Sequence, residues 1–297
     1  MVDKFFTCQF VDTKKIQSHI FESKNPRLPL AIVYALWDEP KYVDLLCLSI
    51  YSQLKYTDAA RASIKIFCSS NIADAVAVNL KNRPVDIIKI EGDLRKYSAI
   101  NHPSLSPYKQ IVLCDCDTFF YSKTNVKLYE QLATNTDVLM LADPNSALDV
   151  FTSRKEISSF HERALWEYFS WFNEMGYSNL HSMLQKQEWF LSCLMSFPTK
   201  LYKEELWFTN CDKMLETEPS FGCDETAFLL HAWYNGYKVS DIADIKNVKT
   251  IYNGWTEQLL NKQMILDSPK TLYVIHPLHG TFASDARVGP IYDMISG

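Results

Sequence analysis

Short apolar runs, each bounded by polar turns, recur through the first half of the chain. Pro29–Leu36 (PLAIVYAL), Ser63–Cys68 (SIKIFC), Val85–Ile90 (VDIIKI), Gln110–Cys114 (QIVLC) and Asp137–Ala142 (DVLMLA) have the length and composition of strands. Helical patterns lie between them, at Tyr42–Leu54 after a Trp37-Asp38-Glu39-Pro40 turn and at Asn71–Leu80, capped by Asn71 or Ser70. Strands spaced by helices of this size predict βαβ units and a mainly parallel central sheet flanked by helices. Strands covered on both faces also explain why the runs are continuously apolar instead of alternating.

The pattern changes over residues 153–187, which read as helical and aromatic. Ile157, Phe160, Ala164, Leu165, Tyr168, Phe169 and Phe172 fall at i, i+3, i+4 spacing, with Trp166 and Trp171 off the centre of that stripe. Such a face packs on a sheet, or serves as a lid or platform for sugar rings and bases. Mixed α/β signals return at Trp189–Phe197, Asp224–Tyr234 and Thr271–His276. No repeat, low-complexity tract or linker interrupts residues 1–297, so one α/β domain is expected, with halves at 29–143 and 144–297.

Composition narrows the function. The 297 residues are 47% apolar and 22% charged, with a net charge of −5, which is ordinary globular composition and a poor basis for nucleic-acid binding. No apolar run approaches a membrane span, and Met1-Val2-Asp3-Lys4 does not open a signal peptide, so a cytoplasmic protein is expected. The 8 glycines are too dispersed for a dinucleotide fingerprint or a P-loop, both of which need closely spaced glycines for backbone to approach phosphate. The 8 cysteines contain no C-x-x-C pair and are read as reduced thiols.

The chemistry concentrates at Gln110-Ile111-Val112-Leu113-Cys114-Asp115-Cys116-Asp117-Thr118. An apolar strand ends in Asp-x-Asp, at the sheet edge where open α/β proteins bind ligands. Alternation aims Asp115 and Asp117 the same way. Their mutual repulsion is relieved by a hard divalent ion that also meets substrate phosphates. Phe221-Gly222-Cys223-Asp224-Glu225 is the second acidic feature, with Asp224 placed to cap a helix and Glu225 in its first turn.

The Asp-x-Asp strand resembles the metal-binding strand of GT-A nucleotide-sugar glycosyltransferases, and the order of the other elements is similar to the glycogenin-like pattern. Ala35-Leu36-Trp37 with Tyr42 is similar to the element that cradles the nucleobase. Trp189-Phe190-Leu191-Ser192-Cys193 looks like the F-N-S-G strand, and His276-Pro277-Leu278-His279-Gly280 like the H-x-x-G element whose His completes the metal site. The resemblance spans residues 29 to 282. It implies a single Rossmann-like GT-A domain, with 29–143 as the nucleotide-binding half and 144–297, including the helical insertion 153–187, as the acceptor half.

The resemblance further implies Mn²⁺ or Mg²⁺ on Asp115, Asp117 and His276 or His279. A nucleotide-sugar donor, UDP-linked first, would contact Ala35, Leu36, Trp37, Tyr42, Lys96, Asp115, Cys116 and Ser192, with Arg95 beside Lys96. Glu225 or Asp224 would act as the base of an inverting reaction or hold the sugar in a retaining one. The acceptor is a glycan, protein or small molecule. Leu191 and Cys193 replace the family's Asn and Gly, the His276-to-Gly280 spacing is one residue long, and Ala283 stands where a diphosphate-binding Lys is expected, leaving Arg287 as the nearest cation.

Two other enzyme classes and one inactive form compete. A haloacid-dehalogenase-type phosphatase also reads apolar strand then Asp-x-Asp, but wants Thr or Val four residues after the first Asp, where Phe119 stands. A nucleotidyltransferase would need a glycine-rich basic loop after its first strand. A catalytically inactive nucleotide-sugar-binding protein of the same fold would bind without turnover.

Overall fold

All seven residues of the first strand, β1 (Leu30–Leu36), are buried, which requires sheet neighbours on both edges and cover on both faces. The computed structural model describes residues 25–36, 41–81, 83–91, 99–202, 210, 213–214, 216, 223–252, 269–276 and 288–297. In it β1 pairs in parallel with β2 (Ser63–Ser69), Leu36 opposite Cys68, and with β4 (Gln110–Cys114), Val33 opposite Leu113. Helix α1 (Lys41–Tyr56) joins β1 to β2, and α2 (Ser70–Asn79) joins β2 to β3 (Val85–Ile90). The β3 strand has no buried residue and exposes Asp86 and Lys89, as suits the last strand of the sheet among the described residues.

Beyond β4 come β5 (Phe119–Tyr121), α3 (Leu128–Thr134), β6 (Val138–Ser146), α4 (Ala147–Ile157), α5 (Leu165–Glu174) and α6 (Leu180–Leu184). They are followed by β7 (Glu188–Pro198), α7 (Cys223–Tyr234), β8 (Val239–Asp241), β9 (Val248–Tyr252), β10 (Leu272–His276) and α8 (Val288–Ser296). The main sheet has the order β3-β2-β1-β4-β7-β6-β8 and is mostly parallel, with β7 alone reversed against β4 and β6. The chain leaves β1 in one direction for β2 and β3, then returns to its other side for β4. That reversal opens a crevice at the carboxyl ends of β1 and β4. A second sheet, β5-β10-β9, runs β10 antiparallel to β5 and parallel to β9.

The helical stretch expected over 153–187 divides into α4, α5 and α6. Ser158 ends α4 in extended backbone and its Oγ accepts from the Phe160 amide, while Gly176 takes φ 94° just after α5. Phe151 of α4 meets Phe172 of α5 and Trp189 of β7 with ring centroids 5.4 Å apart in each case. Phe160, Tyr168 and Phe172 are buried as the spacing predicts, but Ile157 is 70% exposed because the chain turns away directly after it.

Five described cysteines, Cys47, Cys68, Cys114, Cys116 and Cys193, are buried and form no disulfide. Burial pushes the Cys68 thiol up to about 11 and those of Cys47 and Cys114 further still. Among the described residues no helix is long and apolar enough to cross a membrane.

The last helix, α8, buries Ile291 and Ile295, and its end is fixed from α1. Lys55 Nζ donates to the Ile295 carbonyl at 2.7 Å and the Tyr56 hydroxyl to the same oxygen at 3.2 Å. A cation on the last carbonyls satisfies a group the helix itself cannot and complements its dipole. Lys55→Met should therefore cost about 1 kcal/mol, read as a fall of roughly 2 °C in Tm. An unchanged midpoint in urea and heat would show that the Lys55 bond adds nothing to what the apolar face and Tyr56 supply.

Candidate metal centre

The β4 strand is buried over all five residues and stops at Cys114, so Asp115 and Asp117 emerge at its carboxyl end. The backbone then closes a turn, the Thr118 amide donating to the Asp115 carbonyl at 3.1 Å. The Cys193 carbonyl of β7 accepts from both the Asp115 amide, at 2.9 Å, and Thr118 Oγ1, at 3.0 Å. Two bonds to one carbonyl lock this turn to the reversed strand.

Directly after the turn β5 pairs with β10, Phe119 opposite Ile275. One step further along that register, His276 arrives beside Asp117. Its Nε2 lies 3.4 Å from Asp117 Oδ1 and 3.9 Å from Asp115 Oδ2. One donor atom from each of Asp115, Asp117 and His276 falls within 4.8 Å of the other two, and all three residues are half-buried. No other such group of His, Cys, Asp and Glu occurs among the described residues. A residue more than 150 positions away thus joins the Asp-x-Asp through strand pairing alone.

These spacings fit a metal ion. In an octahedral shell with bonds of about 2.1 Å, neighbouring ligands are about 3.0 Å apart and opposite ones about 4.2 Å. The three donors need only small closures to reach that geometry. Two carboxylates are hard ligands and an imidazole is a borderline one, a mixed set that divalent ions accept. Two carboxylates also balance the charge of a divalent ion, and three protein ligands leave positions open.

The other residues singled out from sequence are placed as follows. Ala35 and Leu36 end β1 in the crevice, buried, and the Ala35 carbonyl accepts a long contact from Cys116 Sγ at 3.9 Å. Cys116, between the two aspartates, therefore lies against the end of β1. Tyr42 is half-buried in the first turn of α1. Ser192 adjoins Cys193 on β7 and is buried. Trp37, Arg95, Lys96, His279 and Arg287 lie outside the described residues, and Asp224 stands at the start of α7 with its side chain likewise outside them.

Glu225 is held more tightly than its sequence position suggests. Its Oε1 accepts from Arg154 at 2.7 Å and from the Trp189 indole at 2.8 Å, and its Oε2 accepts from the Ser192 amide at 2.9 Å. Arg154 also donates to Thr226 Oγ1 at 2.7 Å and lies over the Trp189 ring, 4.7 Å from its centroid. The carboxylate thereby ties α4 and α7 to β7 one residue from the carbonyl that anchors Asp115. Arg154 and Trp189 escape the sequence reading: Arg154 sits in a helix with no motif, and Trp189 reads as a strand residue.

No family model matches the sequence, and no curated protein matches it. Among solved structures the chain is similar to a mannosyltransferase from S. cerevisiae, at 13% identity and a TM-score of 0.41, over 74% of this chain and 69% of that one.

Proposed function

We propose that this chain is a divalent-metal-dependent glycosyltransferase that binds a nucleoside-diphosphate sugar, UDP-linked first, and passes the sugar to an acceptor hydroxyl. The observation that carries this reading is the meeting of Asp115, Asp117 and His276 at the crevice between the carboxyl ends of β1 and β4. A bound Mn²⁺ there would offset the charge that develops on a departing diphosphate. The choice of UDP rests on the sequence resemblance at Ala35-Leu36-Trp37 and at the Asp-x-Asp strand.

The chain's own side chains divide the remaining work. The end of β1, with Cys116 against Ala35, forms one wall of the crevice for the base. With three donors already bound, Glu225 keeps one acceptor position, on Oε2. That suits orienting a sugar hydroxyl more than collecting a proton, and leaves the base role of an inverting reaction to Asp224.

The test is to incubate the protein with Mn²⁺ and single nucleotide sugars, UDP-linked and GDP-linked, and measure nucleoside diphosphate release. Release from one donor that stops in EDTA is expected. Release of inorganic phosphate from p-nitrophenyl phosphate, with every nucleotide sugar untouched, would replace the transferase reading by the phosphatase one.

A further inference from the structure

A chain of buried polar side chains runs beneath the turn that carries the two aspartates. The Tyr129 hydroxyl, from α3, donates to Gln53 Oε1 of α1 at 2.6 Å. Gln53 Nε2 donates to the Tyr34 hydroxyl of β1 and reaches Cys114 Sγ at 3.4 Å. The Tyr34 and Ser49 hydroxyls are 2.8 Å apart, and Ser49 Oγ donates to the Thr118 carbonyl at 2.5 Å. Ser52 Oγ accepts from the Phe120 amide at 3.0 Å and donates to the Ser49 carbonyl at 2.7 Å. Tyr34, Ser49, Ser52, Gln53, Thr118 and Tyr129 are all 0% exposed.

Donor counting gives this chain one direction. Ser49 has a single hydroxyl proton and directs it at Thr118, so Tyr34 must be the donor to Ser49. The Tyr34 oxygen then accepts from Gln53, and the Gln53 oxygen accepts from Tyr129. Side chains from β1, α1 and α3 thus end, in fixed order, on the carbonyl of Thr118, the residue after Asp117. Such a network costs more to bury than apolar packing unless every member is satisfied, and once satisfied it is rigid.

Rigidity matters here because Asp115 and Asp117 repel each other whenever no cation lies between them. Cys193 holds the turn from the β7 side, while Ser49 and Ser52 hold Thr118 and Phe120 from the α1 side. We infer that Tyr129, Gln53, Tyr34, Ser49 and Ser52 are positioning residues that hold Asp117, and through β5 His276, in metal-ready geometry before an ion arrives. The inference rests on the reading of Asp115, Asp117 and His276 as a metal centre.

The test is Mn²⁺ affinity, by calorimetry and by the EPR signal of the bound ion, in folded variants. Ser49→Ala and Tyr129→Phe should each weaken binding about tenfold, although neither side chain is a ligand. Ser196→Ala is the control: it removes the acceptor of a buried bond from Gln110 Nε2, 3.0 Å long, at the far end of β4, and should leave the affinity unchanged. Wild-type affinity in the first two variants, or an equal loss in the control, would overturn the inference.

If the variants do not fold, hydrogen exchange of the wild type decides. Mn²⁺ should slow exchange of the Phe120 amide and of residues 49–53, and slowing confined to 115–118 would count against the network. A wild type that binds no Mn²⁺ would instead overturn the metal centre, and the inference with it.

Discussion

Replacing Asp117 with alanine should weaken Mn²⁺ binding by about a hundredfold or more while leaving the metal-free protein as stable as before, or slightly more stable. The sign in the absence of metal follows from geometry. Asp115, Asp117 and His276 crowd their donor atoms within 4.8 Å, so removing one carboxylate removes like-charge repulsion. Adding metal reverses the order of stability. At a Mn²⁺ concentration of about 100 times its Kd, the wild type should gain roughly 2.7 kcal/mol, whereas a variant bound a hundredfold more weakly gains about 0.4 kcal/mol. Thermal unfolding with Mn²⁺ and with EDTA reads both arms. A variant that is destabilised without metal and still stabilised normally by it would make Asp117 a structural turn residue.

Removing Glu225 should have the largest effect on stability. The side chains of Arg154 and Glu225 are 19% and 12% exposed, so solvent screens their 2.7 Å pair only partly. Glu225→Ala takes the counter-charge from the Arg154 guanidinium and an acceptor from the Trp189 indole N–H and the Ser192 amide together, which should cost about 3–5 kcal/mol. Arg154→Ala leaves the carboxylate without its counter-ion and should cost about 3 kcal/mol. Glu225→Gln keeps an oxygen for Arg154 and Trp189 but turns an N–H₂ toward the Ser192 amide, for a loss of about 1–2 kcal/mol. Because the two residues share one network, the double alanine variant should lose less than the sum of the singles. Denaturant unfolding of the four variants measures this. Single losses under about 1 kcal/mol that simply add would show that the cluster is solvated and not structural.

The parts of the fold legible in the sequence are those whose physics is local. The runs at β1, β2 and β4 are apolar because those strands are enclosed, and the limits of all three, and of the edge strand β3, lie within about a residue of the pattern. The Asp-x-Asp stands out because two acidic residues directly after a buried strand are costly without a purpose. His276 is legible as a type of residue, but its place beside Asp117 depends on the pairing of β5 with β10, and a three-residue strand has no readable period.

The reversal of β7 is silent in the sequence too, since a strand buried on both faces looks the same in either direction. Residues 153–187 carry an aromatic stripe that survives a break, so the spacing alone overlooks the turn at Ser158. The Arg154 contact with Glu225 joins positions 71 apart, and neither neighbourhood announces the other.

A metal held at Asp115, Asp117 and His276 would create a site for a nucleoside diphosphate. Thermal unfolding with UDP, GDP, CDP and ADP, each with Mn²⁺ or with EDTA, would reveal that site. One diphosphate, UDP first, should raise Tm by roughly 5 °C near 100 times its Kd, and only when Mn²⁺ is present. No shift with any of the four, or an equal shift in EDTA, would contradict it.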